Sequence, residues 1–452
     1  MFKKIEIWIL YLIILLSILF AISFGVLVRQ ELVGGIKLGW VSKGALTLSE
    51  TPYKLKKFLE GGDLVVTDRF PNLEGFSGAP NTMESYLLNS RYDGDLQEGV
   101  IELIDLKSFK VLHTWNPDIN AFNKIVDSND KFYYLKRDDS DSRKRLMHPK
   151  LTSDGGMLFG WISPLRKIDA CSNLIFQVTN DIYHHSIETD INGNIWGSTH
   201  IYPQRFSPEK VGRIHPVEKD GFNDNAIVKL SGTGEVIFEK SVAQILIDNG
   251  MENLIFGNGY QFNPDPIHLN DIQPVDFDGK FWKKGDVFLS VRNQSMILLY
   301  RPSTNKIIWK GVGPFTNQHD VDILDSHRIS IFNNNAKRYY DGFNVDGNNG
   351  VIIYDFKTNK YSKYLQESLV DNDIKTKTEG RSQILPNGDL FIEETNYGRH
   401  LYINNDGSVK WTYINRAINN LVYTVGWSRI LYTQEDIQTV NNFLANKGAC
   451  NE

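Results

Sequence analysis

"VIIYDFKTNKYSKYL", residues 351–365, sets two short apolar-aromatic runs on either side of a Lys-Thr-Asn turn. The same design recurs in "IELIDLKSFKVLHTW" (101–115), "LRKIDACSNLIFQV" (165–178) and "AIVKLSGTGEVIFEK" (226–240). It recurs again in "SMILLYRPSTNKIIWK" (295–310) and "HLYINNDGSVKWTYI" (400–414). Turns of Asp, Asn, Gly, Ser or Thr between β-formers are the chemistry of a β-hairpin. These hairpins lie about 50 to 70 residues apart, the interval of propeller blades rather than of a sandwich. The expected fold is all-β, a six-bladed β-propeller preceded by an N-terminal transmembrane helix. Trp115, Trp309 and Trp411 hold equivalent places in the repeat, which suits packing between blades better than a substrate box.

Between the hairpins runs a second pattern, a turn followed by a strand. It reads "SDGGMLFGWIS" (153–163), "INGNIWGST" (191–199), "KKGDVFLSVRN" (283–293), "DSHRISIFNNN" (325–335) and "LPNGDLFIEET" (385–395). In the fourth, Ile329 and Ile331 alternate with polar residues as in a half-buried strand. Eight residues before the turn, a histidine returns: His148 before Gly156, His185 before Gly193 and His319 before His327. Gly388 leads back to Gly380 and breaks the series, while the segment before Gly285 carries an insertion with His268 and Asn270 in "DPIHLNDIQ". The innermost strands of a propeller line its channel, so these positions are expected to converge on one cavity. Imidazole there serves as nucleophile, base or metal ligand. Arg292 in "SVRNQ" is expected at the far end of the innermost strand of the His268 blade, where its fork suits sulfate, phosphate or carboxylate.

Bulk numbers restrict the alternatives. Of 452 residues, 41% are hydrophobic, 12% aromatic and 23% charged, a folded rather than a disordered composition. The net charge of −5 gives no reason to expect nucleic acid, and the cluster "KRDDSDSRKR" (136–145) interleaves acids with bases as a solvated loop does. There is no CxxC, HExxH or Walker-type phosphate loop, so no cofactor or metal is expected. Cys171 and Cys450 do not make a disulfide framework, and spacing alone leaves their pairing open.

The amino end adds a location. From Ile7 to Val28 the chain is apolar apart from Ser17, Ser23 and Gly25, long enough to cross a bilayer. Lys3 and Lys4 before it place the N-terminus in the cytoplasm. "AISFG" is a poor cleavage site, which favours an uncleaved anchor over a signal peptide. The expected organisation is a cytoplasmic N-terminus (1–6), an anchor (7–28), a linker (29–60) and a periplasmic propeller (61–452).

"YHHSIETDINGNIW", "DPIHLND" with "LSVRNQSMILLY", "NQHDVDIL" and "SQILPNGDLFIEE" together resemble the bacterial arylsulfotransferase family. The resemblance covers roughly residues 100 to 430 in order and leaves the first hundred unmatched. It implies a six-bladed propeller that moves a sulfuryl group from an aryl sulfate donor to a phenolic acceptor by ping-pong chemistry, without phosphoadenosine phosphosulfate. It implies that His319 is the nucleophile and is transiently sulfated. His185, His268 and Arg292 would share the catalytic work, with His184, Asn270 and His148 binding substrate. Two departures bear on this: Ser186 follows the paired histidines where Asp is common, and Asp271 replaces a serine, adding negative charge near an anion site. Two other functions fit the same cage. One is a metal-dependent hydrolase or lyase, against which a nearby Arg292 argues mildly. The other is a non-catalytic anchored propeller that binds a ligand or a protein.

Overall fold

The computed structural model describes residues 6–32, 39–60, 64–126, 131–136, 145–206, 208–211, 222–257, 263–340, 342–446 and 450. Lys3, Lys4 and most of the 136–145 loop lie outside these residues. Each of the repeated hairpins forms. Residues of 351–365 pair as Val351↔Tyr364 through Asp355↔Lys360, and residues of 101–115 as Ile101↔Trp115 through Asp105↔Lys110.

The strands assemble into a propeller-like ring, but the sheets are not six separate blades. Four have the size of a blade, one with five strands and three with four; a further sheet has seven, and a two-stranded hairpin stands apart. The cause is the 16-residue strand Leu174–Thr189. Its first part pairs with Ser163–Ile168 and its second with Ile195–His200, so one ladder runs through where a break was expected. The chain ends close the ring. Arg429–Leu431 pairs with Tyr86–Asp93, and Gly75–Gly78 pairs with Val409–Ile414, so each end completes a sheet begun by the other and leaves no open edge there.

Adjacent sheets pack face to face through apolar side chains. Val321, Ile329 and Ile331 of one meet Phe288, Ile297 and Leu299 of the next, with Trp282 and Phe315 between them. Strand Arg328–Asn333 is therefore buried on both faces from Ile329 onward, Ser330 included, and not half-buried as its alternation suggests. Trp115 and Trp411 are fully buried between sheets, and Trp309 packs at a tilt against Tyr354 and Phe356, with ring centroids 4.8 Å away.

Outside the ring, helix Ile7–Leu32 is apolar and exposed, and its span Ile7–Glu31 is long enough to cross a membrane. A signal sequence has the same character. The expected linker is largely a second helix, Gly39–Glu60, tied back by a hydrogen bond from Ser42 to Glu31. At the other end, helix Gln434–Asn446 lays Val440 and Phe443 against Trp115, and Cys450 beyond it is disulfide-bonded to Cys171.

Candidate active site

The histidines enter where the chain turns into the strands nearest the axis. Strand Leu269–Pro274 is preceded by His268 at φ +51°, Lys150–Leu151 by His148 at +54°, and His185 at +54° sits at a register shift inside Leu174–Thr189. Glu379 at +58° and Trp427 at +70° hold the corresponding places before Arg381–Ile384 and Arg429–Leu431. A left-handed backbone costs a residue with a side chain about 1 kcal/mol and must be held by its surroundings. Before Asp320–Ile323 that position belongs to Asn317 at +51°, so His319 lies two residues further in than the eight-residue register implies.

These turns bring four imidazoles together. The ring centroid of His185 lies 5.9 Å from His148, 5.2 Å from His268 and 6.2 Å from His319. His184 points the other way: it stacks on His200 at 3.9 Å and touches His185 through a 2.7 Å contact between Nδ1 atoms, one of which donates. Trp161 walls His185 at 5.4 Å, and Trp427 covers His148 at 4.3 Å. Neither ring nitrogen of His148 has a hydrogen-bond partner among the described residues, although both are buried.

The hydrogen bonds of His319 fix its tautomer. Asn334 spends its Nδ2 on the carbonyls of Glu379 and Thr376, at 2.8 and 3.1 Å, so its Oδ1 is an acceptor. His319 Nδ1–H donates to that oxygen at 2.7 Å. The Glu379 backbone N–H donates to Nε2 at 2.9 Å. The proton is therefore on Nδ1 and the lone pair on Nε2. Burial, and after it the positive charge of Arg292, pushes this imidazole well below the usual histidine range. Burial does the same to His148, His184 and His185, and takes His200 down to about 4. A buried cluster of neutral imidazoles results.

His268 is different. It is half-exposed, and its Nδ1 sits 2.5 Å from the Asp265 carboxylate. Burial alone would raise Asp265, but the His268 charge and hydrogen bond outweigh it and bring the carboxyl to about 2. Arg292 does not lie on an innermost strand. It opens a short 3-10 turn after Val287–Val291, the second strand of its sheet, with its backbone N–H on the His268 carbonyl. Its guanidinium lies 5.2 Å over Phe343, and its buried Nε has no hydrogen-bond partner among the described residues. Asn270 donates its amide to the Gln318 carbonyl and so supports the chain just before His319. Asp271 faces away from the cage, accepting from the Val321 N–H at 2.9 Å, and Ser186 donates to the neighbouring Ile272 carbonyl at 3.4 Å.

Several of these residues carry no local signal. Asn334 sits in a run of asparagines, Asp265 in the loop before Leu269–Pro274, His200 at a strand end, and Glu379 beside the glycine that breaks the repeat. Phe343 belongs to the polar loop after the His319 strand, which folds as the hairpin Ala336–Tyr339 with Gly342–Val345. Among the described residues, no group of three or more His, Cys, Asp or Glu is disposed to hold a metal ion.

With the geometry in place, comparison with known proteins adds a family. The family model described as Arylsulfotransferase (ASST) matches residues 148–416. No curated protein matches the chain. Among solved structures, a protein of unknown function from Bacteroides caccae aligns at 11% identity and TM-score 0.45, covering 76% of this chain and 98% of its own. A streptogramin B lyase aligns at 12% identity and TM-score 0.38, over 81% and 96%. The WD40 propeller domain of Doa1 aligns at 11% identity and TM-score 0.38, over 83% and 95%.

Proposed function

The chain belongs to the arylsulfotransferase family, and on that premise we propose that it moves a sulfuryl group from an aryl sulfate to a phenol through a sulfated His319. The observation that carries this reading is the tautomer of His319: neutral, Nδ1–H held by Asn334, with a lone pair on Nε2 beside three further imidazoles and Arg292.

In the first half-reaction the Nε2 lone pair forms a bond to sulfur and the sulfur–aryl oxygen bond breaks. The bonding pair leaves with the phenolate, which takes a proton from His268. In the second, an acceptor phenol gives its proton back to His268 while its oxygen bonds to sulfur, and the N–S pair returns to Nε2. Splitting one transfer into two lowers each barrier. Sulfur–oxygen cleavage spreads negative charge over the sulfuryl oxygens and the leaving oxygen. Arg292, His185 and the half-exposed His268 are the donors we assign to that charge, with His148 lining the far side. Asp265 holds His268 by Nδ1 and leaves Nε2 for the substrate. His184 and Asn270 support the cage from behind. No nucleotide sulfate enters the scheme.

We also propose that the seven-stranded sheet is two blades fused through Leu174–Thr189, giving a six-bladed unit within residues 61–452. The entry of His148 and His185 before separate inner segments supports that count. Ile7–Leu32 is taken as a retained anchor with the propeller on the periplasmic side. The Cys171–Cys450 bridge supports an oxidising compartment.

The test is release of a chromogenic phenol from its sulfate ester, with and without a second phenol, by wild type and His319→Ala. Acceptor-dependent release that disappears in the variant is expected. Release that survives in His319→Ala would end the sulfohistidine proposal.

A further inference from the structure

Two interactions meet at Glu379. Its backbone N–H covers the Nε2 lone pair of His319, while its carboxylate takes two hydrogen bonds from Arg145, at 2.8 and 3.2 Å. A sulfur atom approaching Nε2 must come along the line this N–H now occupies, because a hydrogen bond to imidazole follows the lone pair. The nucleophile is capped, and the cap must lift before an N–S bond can form.

The turn that carries the cap has no strong preference of its own for this shape. Glu379 and Gly380 are successive residues at φ +58° and +80°, and a Cβ on Gly380 would meet the Glu393 carbonyl oxygen at 2.9 Å. Outside contacts hold it: Asn334 on the Glu379 carbonyl, and Arg145 on its side chain. Arg145 is itself mounted on the cage wall. Its guanidinium lies 5.0 Å over Trp161, whose ring is 5.4 Å from His185, and its charge bears on His148. It is the last residue of a cluster that reads as a solvated loop, yet its side chain is only 11% exposed.

We propose that Arg145 is a second anion-binding residue of the cage and that a bound sulfate group competes with Glu379 for it. A guanidinium fork takes a carboxylate or a sulfate in the same bidentate way, so the exchange replaces one charge-assisted pair by another. Once Glu379 is released, the turn is free to lift its N–H from Nε2. The nucleophile is thus uncovered only when the anion is in place, which guards it against idle reaction. This device rests on the sulfuryl-transfer reading given above.

Inorganic sulfate, titrated calorimetrically into the full-length protein, reads the competition without requiring turnover. Glu379→Ala is expected to bind sulfate about tenfold more tightly than wild type, and Arg145→Ala about tenfold more weakly, the scale of one charge-assisted hydrogen bond. Removing Glu379 from the Arg145→Ala protein should change nothing further. Glu379→Gln, which keeps size and one acceptor, should fall between wild type and Ala and guards against a folding artefact. With 4-nitrophenyl sulfate, Glu379→Ala should lower the donor KM without lowering kcat. Sulfate affinities that do not move, or that fall in both single variants, would overturn the proposal. If these shifts appear but wild type transfers no sulfuryl group, the latch stands and the transfer reading fails. If transfer occurs with unshifted sulfate affinity, the latch alone fails.

Discussion

Replacing Asn334 tests the assigned tautomer most directly. Asn334→Leu keeps the branching at Cγ but removes the acceptor of His319 Nδ1–H and the donor of the Glu379 carbonyl; Thr376 keeps a second donor in Asn349. Two buried polar groups lose partners, each worth about 1–3 kcal/mol, so stability should fall by about 2–6 kcal/mol. That is a large share of the 5–15 kcal/mol typical of a folded domain, and the variant should fold with a lowered melting temperature. The proton on Nδ1 is then no longer anchored, and the ring is free to turn. A loss of about 1.4–2.8 kcal/mol in transition-state stabilisation corresponds to a kcat lower by about ten- to a hundredfold. Asn334→Asp separates orientation from stability. It keeps an acceptor for Nδ1–H but sets a negative charge against the imidazole, which favours the protonated ring. Its activity should be low at neutral pH and recover as pH rises, whereas the Leu variant should keep the wild-type profile at reduced height. Initial rates with a chromogenic aryl sulfate from pH 5 to 9 decide. A Leu variant with wild-type kcat, or an Asp variant with an unmoved pH profile, would refute the assignment of the lone pair to Nε2.

Further outcomes follow from the same geometry. Burial pushes down His148, His184, His185 and His319, and takes His200 to about 4 and His400 to about 3, so the unfolded chain binds their protons first as pH falls. Stability should therefore drop from about pH 6.5 downward, by up to about 1.4 kcal/mol per pH unit for each histidine, with urea midpoints between pH 7 and 5 as the check. A midpoint unchanged over that range would count against the buried neutral cage. Phe343→Ala removes the ring under Arg292 and should raise the donor KM about two- to fivefold with kcat kept, a cation–π scale effect; an unchanged KM would leave the hairpin without a role. Asp271→Asn should leave the donor KM within about twofold, because its carboxyl is turned onto the Val321 N–H, and a tenfold lower KM would show that its charge repels sulfate.

The hairpins were legible because their signal is local: a turn residue with β-formers on either side fixes the pairing wherever the sheet later sits. The convergence of His148, His185, His268 and His319 was legible from repetition. What escaped was whatever depends on partners far along the chain. His319 meets Asn334 across 15 residues, the Glu379 N–H across 60, and Glu379 meets Arg145 across 234. No periodicity links such positions. Arg145 was hidden by company, since four basic and three acidic neighbours make a stretch that reads as solvated whatever its last residue does. The seven-stranded sheet escaped because hairpin chemistry predicts where strands turn, not where one runs on.

The two departures from the family pattern fall on the supporting layer of the site rather than on its reacting face. On three inner strands the entrance residue, His148, His185 or His268, is held left-handed and offers an imidazole to the cage, while acids further along tie neighbouring strands together. Asp271 accepts from Val321 N–H, Asp320 accepts from Ser382 N–H, and Glu188 pairs with Arg429 at 2.5 Å. Ser186 donates to the Ile272 carbonyl, the residue next to Asp271, so both unusual residues are bonded within the sheet. Burial raises the Asp271 carboxyl to about 7, which leaves much of it uncharged near neutral pH and weakens any repulsion it exerts on an anion. An acid at this position is thus compatible with an anion site at the strand's entrance, because part of its charge is withheld and it is bonded to the Val321 N–H of the neighbouring strand. The chemistry is set by the entrances of the strands, and the acids below them set how firmly those entrances are held.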